Sequence, residues 1–283
     1  MIRRPRITTI FPYTTHFRSK YHRRVTENNV DLNRNSTLSD DLFDTHNEGY
    51  TRVYDLINPK GEVNVRTIEN RFFFVKAINE IRKATLPVLR QAVLQGQYEH
   101  PAGLYFGGEN REPQIDSLIV KIEGLTNPYG RILVIDLHTG FGERGRLHFF
   151  PNPLEGEKRE GMERLFEGYT IDWGDTGDFY TITGDFSGMI ASMNTDKDVY
   201  PMVFEYGTLN SQTTMGSLKS IHIMILENQG AQFGFASERD SLRVKSDFIE
   251  MYNPSSANWR NYIMEQTHEV FDVRLPRFTG ASQ

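Results

Sequence analysis

The feature that most constrains this chain is a short apolar run in its middle, Ile132 to Leu137, which reads ILVIDL. A run of this length, rich in β-branched residues, is typical of a strand buried on both faces of a parallel or mixed sheet. It ends at His138 and is followed by a loop that contains two glycines. Because both faces of such a strand need cover, the run predicts an α/β domain.

Helix and strand patterns alternate around this run without an internal repeat, which favours a mixed, mostly parallel central sheet with helices on both faces. Further strands are predicted over 179–183 and 199–206. Helices are predicted over 64–96 with a new start at Pro87, 116–124, 162–166, 214–226, 242–252 and 257–271. The rest reads as loops, including 20–62 apart from a short element at 30–33, and 97–114.

Two finer expectations concern individual helices. Ser256 is placed to cap the last helix. The helix that begins near residue 64 is predicted from the near-helical spacing of its apolar positions, which are Ile68, Phe72, Val75, Ile78 and Ile81.

The composition excludes several classes of function. The chain has no cysteine, which excludes disulfide scaffolds, thiolate zinc sites, iron–sulfur clusters and a cysteine nucleophile. A net charge of −5 argues against nucleic-acid partners. No apolar run is long enough to span a membrane, so no membrane partner is expected. Localisation stays open, with the cytoplasm favoured.

The first nineteen residues differ from the rest, because they contain four arginines and no acidic residue. Transit peptides share that composition, and a disordered arm is another interpretation. The segment also resembles translated sequencing-adapter read-through at the ends of metagenomic reading frames. The favoured domain assignment is therefore a non-native leader at 1–19 and one catalytic domain at 20–283.

Polar groups that bind carboxylates are concentrated between Arg24 and Asn35. Arginine offers a rigid fork of donors that matches a carboxylate, and asparagine adds amide donors. A polar surface loop with Asx turns is the alternative interpretation.

Four further residues are candidates for chemistry. His138 and Glu205 each end a predicted strand, so both could point into one crevice at the carboxyl edge of the sheet. Asp136 shares the strand face of His138 and could orient its ring. Glu205 lies among apolar residues, where burial would suit a general base. Tyr180 could be a phenolic donor. Each also has a plainer interpretation, as a structural histidine, an exposed strand-end glutamate or a sheet aromatic.

These motifs together resemble the zinc carboxypeptidase family (carboxypeptidase A-like metallopeptidases), and most closely an uncharacterised bacterial branch of it. VDLNRN at Val30–Asn35 resembles the motif that binds the substrate carboxylate through Asn33 and Arg34. IDLHTG at Ile135–Gly140 resembles the strand that ends in a zinc ligand, here His138. VFEYGT at Val203–Thr208 resembles the segment that bears the catalytic glutamate, here Glu205.

An arginine match and a weaker tyrosine match complete the resemblance, which covers residues 20–283. Arg24, or its neighbour Arg23, fits the family's oxyanion-stabilising arginine, and Tyr180 fits the tyrosine that covers the bound substrate. The family supplies its other two zinc ligands as H-x-x-E upstream, but none of the eight histidines here has a glutamate three residues later. The resemblance therefore implies a domain incomplete at its N-terminus, in which one Zn²⁺ site retains only His138 and the fragment is inactive.

The implied reaction is hydrolysis of a C-terminal amide by zinc-activated water, with Glu205 as the base and Arg24 on the developing oxyanion. The expected partner is a peptide or acyl-amino-acid substrate with a free carboxylate. Two alternatives stay open. One is deacylation of N-acyl amino acids, and the other is a non-catalytic domain that binds carboxylates or peptides.

Overall fold

A computed structural model describes residues 23–278 except positions 68, 69, 71, 85, 153 and 174–181. The predicted leader at 1–19, Tyr180 and most of the predicted strand over 179–183 lie outside the described residues.

The sheet of the described part has four strands. They are β1 (Arg131–Gly140), β2 (Leu147–Pro151), β3 (Thr170–Ile171) and β4 (Asp198–Gly207), and their order in the sheet is β1-β4-β2-β3. β1 and β4 are parallel, β2 and β3 are parallel, and β2 and β4 are antiparallel. The sheet is therefore mixed and mostly parallel, as predicted, and the strands predicted over 132–137 and 199–206 are confirmed.

The helices connect and cover these strands. They are α1 (Leu32–Asn35), α2 (Glu48–Ile57), α3 (Phe73–Ala84), α4 (Leu86–Leu94), α5 (Pro113–Thr126), α6 (Gly156–Leu165), α7 (Phe186–Ser192), α8 (Thr214–Phe233), α9 (Glu238–Tyr252), α10 (Ala257–His268) and α11 (Leu275–Phe278). A 3₁₀ turn at Asp40–Asp44 precedes α2, and a π-helical turn at Glu269–Arg274 joins α10 to α11. Ser256 caps α10 by accepting from the amide of Trp259, as predicted.

Helices cover both faces of the sheet because β4 alternates between two cores. Met202 and Phe204 pack on one face in a cluster with residues of α6 and α10. Val199 packs on the other face in a cluster with Val134 of β1 and residues of α5 and α7. A third core lies between α2, α3, α4, α8 and α9. The predicted α/β class is confirmed.

Two sequence interpretations are wrong. Residues 48–57 form α2 rather than loop, because the side chain of Asn47 caps the helix and Tyr50 and Ile57 bury one face of an otherwise polar stretch. The second concerns the start of the helix predicted from residue 64, because α3 begins only at Phe73 and residues 64–67 lie outside any helix. Two of the apolar positions that predicted it, Val75 and Ile78, are 60% and 40% exposed. The neighbouring stripe, with Phe73 and Ala77, packs on the helical core instead.

The exposed edge of the sheet carries a prediction. β1 is an edge strand of the described sheet, and its Leu137 is 56% exposed. Long apolar edge strands promote pairing between molecules. We expect the protein to self-associate, and Leu137→Lys to raise the monomeric fraction in light scattering across a concentration series. Leu242→Lys, at a 62% exposed position on α9, is the matched control. An equal effect of both variants would contradict association through β1.

Among the described residues, none of the helices combines the length and apolar character needed to cross a membrane.

A half-buried histidine on α8 lies beside the helical core. The ring of His222 stacks on Phe73 with centroids 4.3 Å apart, and it meets Phe74 edge-on. Its Nε2 is buried and has no hydrogen-bond partner among the described residues. Burial therefore lowers the pKa of His222 to about 4 from an ordinary value of 6.5.

This shift predicts acid sensitivity. Between these two pKa values the unfolded chain binds a proton at position 222 that the folded chain does not, so stability falls as pH drops from about 6.5 to about 4. We expect His222 to contribute about 2 kcal/mol to that loss, allowing for its partial exposure. Urea unfolding at about pH 7 and about pH 4.5 measures the loss, which should be smaller by that amount in His222→Leu. The same loss in both proteins would contradict the assignment.

Candidate active site

The parallel register of β1 and β4 places His138 directly opposite Glu205 near the carboxyl ends of both strands. Alternation along β1 puts Asp136 on the same face as His138. The Nε2 atom of His138 lies 2.8 Å from Oδ2 of Asp136, and its Nδ1 lies 3.5 Å from Oε2 of Glu205. Both ring nitrogens therefore face a carboxylate.

Glu205 is a buried carboxylate rather than an exposed strand-end residue, since it is only 8% exposed. The backbone N–H of Phe141, in the glycine-bearing loop, donates to its Oε1 over 2.8 Å. Burial raises the pKa of Glu205 even though His138, this N–H and Arg24 act in the opposite direction. A carboxylate with a raised pKa is suited to taking up a proton near neutral pH.

The carboxylates of Asp136 and Glu205 also affect the pKa of the His138 imidazole. Burial lowers the pKa of His138, but its contacts with Asp136 and Glu205 outweigh that effect and leave the pKa raised. Asp136 thus holds the ring in one orientation, which is the geometry that the sequence predicted for this pair.

The VDLNRN segment is a buried turn and not a surface loop. Asp31 is 1% exposed and caps α1 by accepting from the amide of Asn33 over 3.1 Å. Arg34 is 2% exposed, and its Nε donates to the carbonyl of Leu94 over 3.1 Å while its Nη1 donates to the carbonyl of Asn33. Its Nη2 also bonds the Leu94 carbonyl. The guanidinium is therefore fixed in place by neutral oxygens.

Asn33 and Arg34 keep donors for a ligand. The Oδ1 atom of Asn33 accepts from the amide of Phe186 over 3.0 Å, which fixes the side-chain amide and leaves Nδ2 as a donor at the cavity. Arg34 has five N–H groups, of which three make the hydrogen bonds just described. The remaining N–H groups can bind a carboxylate in the cavity.

The structure separates the two candidate arginines of the N-terminal segment. Arg24 lines the cavity and donates from Nε to Oδ2 of Asp31 over 2.8 Å. Arg23 instead pairs with Glu227 over 2.9 Å, and it also bonds Asn29 and Asn228. Arg24 is therefore the arginine placed to meet a bound ligand.

One cavity of about 110 Å³ brings most of the predicted site together. The predicted residues that line it are Arg24, Asn33, Arg34, His138 and Glu205. Asp136 is not part of the lining and contacts it through His138. Tyr180 lies outside the described residues.

Several residues that line this cavity or contact its lining were not predicted from the sequence. Asp31 joins the two arginines, since it contacts Arg24 and lies 3.8 Å from Nη1 of Arg34. Tyr105 lies beneath both guanidinium groups, with its ring centroid 5.1 Å from Arg24 and 5.0 Å from Arg34. Asp31 stands inside the VDLNRN motif and could have been found there. Tyr105 and Arg90, which also line the cavity, carry no local signal.

The described residues do not fit a catalytic zinc ion. A catalytic zinc needs three protein ligands, and the described part of the chain holds no group of three histidine or carboxylate side chains arranged to bind a metal. His148 lies on the other side of Glu205 in the sheet. Its Nε2 accepts from the backbone amide of Glu143 over 3.2 Å, so that lone pair is engaged.

The fold and the cavity define an α/β protein with a buried site of arginines, a histidine and a carboxylate at the carboxyl edge of its sheet. The family described as "Protein of unknown function (DUF2817)" matches residues 12–266, which is most of the chain. The chain therefore belongs to that family. No curated protein and no solved structure matches it.

Proposed function

We propose that the cavity binds the free carboxylate of a peptide or an acyl amino acid, and that it is the substrate-binding and general-base part of a metallocarboxypeptidase-like hydrolase site. The observation that carries the proposal is the shared cavity. It places the free donors of Arg34 and Asn33 in the same small volume as the buried pair of His138 and Glu205. Membership of DUF2817 is compatible with this proposal and does not itself define an activity.

In the proposed complex, Arg34 and Asn33 hold the carboxylate of the ligand through charge-assisted hydrogen bonds. Arg24 faces the scissile carbonyl, where a guanidinium stabilises negative charge on oxygen. In a complete hydrolase site, Glu205, with its raised pKa, would take a proton from the water that attacks the scissile carbonyl and pass it to the leaving amine as the C–N bond breaks. Tyr105 packs beneath both arginines and keeps their planes fixed.

The resemblance to zinc carboxypeptidases adds a metal to this scheme, but the described residues offer His138 alone at the cavity. We therefore propose that this chain by itself binds the carboxylate ligand without hydrolysing it. A non-catalytic carboxylate-binding domain is the second candidate function, and the lack of a metal-ligand group in the described residues favours it. Deacylation of N-acyl amino acids would use the same carboxylate clamp and the same base.

Isothermal titration calorimetry tests the proposal with N-acetyl-alanine and with N-acetyl-alaninamide, which lacks the free carboxylate. We expect the acid to bind at one site and the amide to bind at least tenfold more weakly, because only the acid can bond the charged fork of Arg34. Equal affinities, or no binding of either compound, would contradict carboxylate recognition.

A zinc titration of the same protein separates the two functions. We expect no tight stoichiometric uptake of Zn²⁺, because a site with one histidine cannot complete the coordination of the metal. Tight binding of one equivalent, together with hydrolysis of N-acetyl-alanine or a dipeptide, would overturn our proposal that this chain does not act alone.

A further inference from the structure

A third arginine lines the cavity on the side formed by α4 and α8, and the proposed function does not use it. Arg90 is 5% exposed. Its Nε donates to Oγ of Ser217 over 3.1 Å, and its Nη2 donates to the carbonyls of Ser211 and Gln212 over 2.6 and 3.2 Å. These bonds to neutral oxygens fix the plane of the guanidinium on the cavity wall.

Arg90 lies close to the carboxylate clamp. It precedes Leu94 by four residues on α4, so the two share one face of the helix and lie about 6 Å apart. The carbonyl of Leu94 is the group that fixes Arg34. Arg34 and Arg90 therefore line the same cavity, and both contact α4 or belong to it.

The chemistry of the lining fits a ligand with two negative charges. Among the described residues that line the cavity are three arginines, Arg24, Arg34 and Arg90, and one carboxylate, Glu205. Arg24 is paired with the buried Asp31, so Arg34 and Arg90 are the two arginines matched to the two charges of such a ligand. The same lining includes the apolar side chains of Ile221 and Met224 from α8. An aliphatic stem that ends in a carboxylate matches this combination of apolar and cationic side chains, with its charge on Arg90.

We propose that Arg90 determines specificity for ligands with an acidic side chain, namely peptides or acyl amino acids that end in glutamate or aspartate. The inference rests on the proposed function, because the α-carboxylate of such a ligand occupies Arg34 and Asn33. The side-chain carboxylate then bonds Arg90, and the scissile amide faces Glu205.

The test compares N-acetyl-glutamate with N-acetyl-glutamine, which has nearly the same shape and no side-chain charge, by calorimetry on the full chain. We expect the glutamate compound to bind about tenfold more tightly, as for one charge-assisted hydrogen bond. In Arg90→Gln the ratio of the two affinities should fall to about one. Arg90→Lys keeps the positive charge and should retain part of the preference.

A cooperative circular dichroism melt and measurable binding of N-acetyl-glutamine show that Arg90→Gln is folded. Arg52→Gln, a variant at a 78% exposed position on α2, should keep the full preference. Equal binding of the two compounds by the native chain would contradict the specificity proposed for Arg90, and so would a preference that survives in Arg90→Gln. Neither result would contradict the proposed function. If neither compound binds the native chain, the proposed function fails as well. If Arg90→Gln loses N-acetyl-glutamine too, Arg90 supports the fold or the clamp and the specificity proposal is wrong.

Discussion

Replacement of Arg34 by glutamine is expected to weaken the binding of N-acetyl-alanine by about 100-fold. The carboxylate of the ligand would lose a buried charged partner, and such losses cost about 3 kcal/mol. Arg34 is 2% exposed and is fixed by the carbonyl of Leu94, so its guanidinium is already oriented in the cavity before the ligand binds. Calorimetric titration of the purified variant measures the change.

Two further variants make this prediction specific. Arg52→Gln removes an arginine that is 78% exposed and should bind the ligand like the native chain. Arg34→Lys keeps the charge but not the planar fork, so we expect an intermediate loss of about tenfold. Circular dichroism melts show whether each variant is folded. A folded Arg34→Gln protein with native affinity would contradict the assignment of Arg34.

Replacement of Gly184 by alanine is expected to lower the free energy of unfolding by about 3 kcal/mol. The backbone of Gly184 has a φ of +67°, which a side chain disfavours. A Cβ atom at this position would also press on the backbone carbonyl of Arg34. The carbonyl of Gly184 accepts from the amide of Ser36 over 3.0 Å, so the loop cannot move away without losing that bond.

The control for Gly184 is Gly61, which has a similar φ of +84° but no atom within 4 Å of the point that a Cβ would occupy. Gly61→Ala should cost about 1 kcal/mol, the backbone strain alone. Only Gly184→Ala should also weaken the binding of N-acetyl-alanine, because it displaces α1. Equal losses of stability in both variants by chemical denaturation would show that contact with Arg34 has no effect.

The sequence predicts those parts of the fold and site that depend on a pattern within one short segment of the chain. The run ILVIDL predicts β1 because a continuous apolar run of this length is typical of a strand that is buried on both faces of the sheet. The position of Asp136 relative to His138 follows from alternation along one strand. The shared crevice of His138 and Glu205 follows from the rule that parallel strands present their carboxyl ends on one edge. The structure brings these three residues together.

The remaining parts depend on contacts between distant segments. β2 has only five residues and no alternation, because it is buried between two neighbours in the sheet. The exposed stripe of α3 has the spacing of a core face, so its pattern does not reveal which side packs. Arg90 reaches the cavity because α4 crosses α8 and the segment that contains Ser211, and no local pattern encodes that packing.

The most direct test of the account is a crystal structure of the chain with N-acetyl-alanine bound. We expect the carboxylate of the ligand to lie within hydrogen-bond distance of Arg34 and of Nδ2 of Asn33. The acyl carbonyl should face Arg24, and the amide should lie beside Glu205. A ligand bound outside this cavity, or bound inside it with its carboxylate away from Arg34, would contradict carboxylate recognition by the VDLNRN segment.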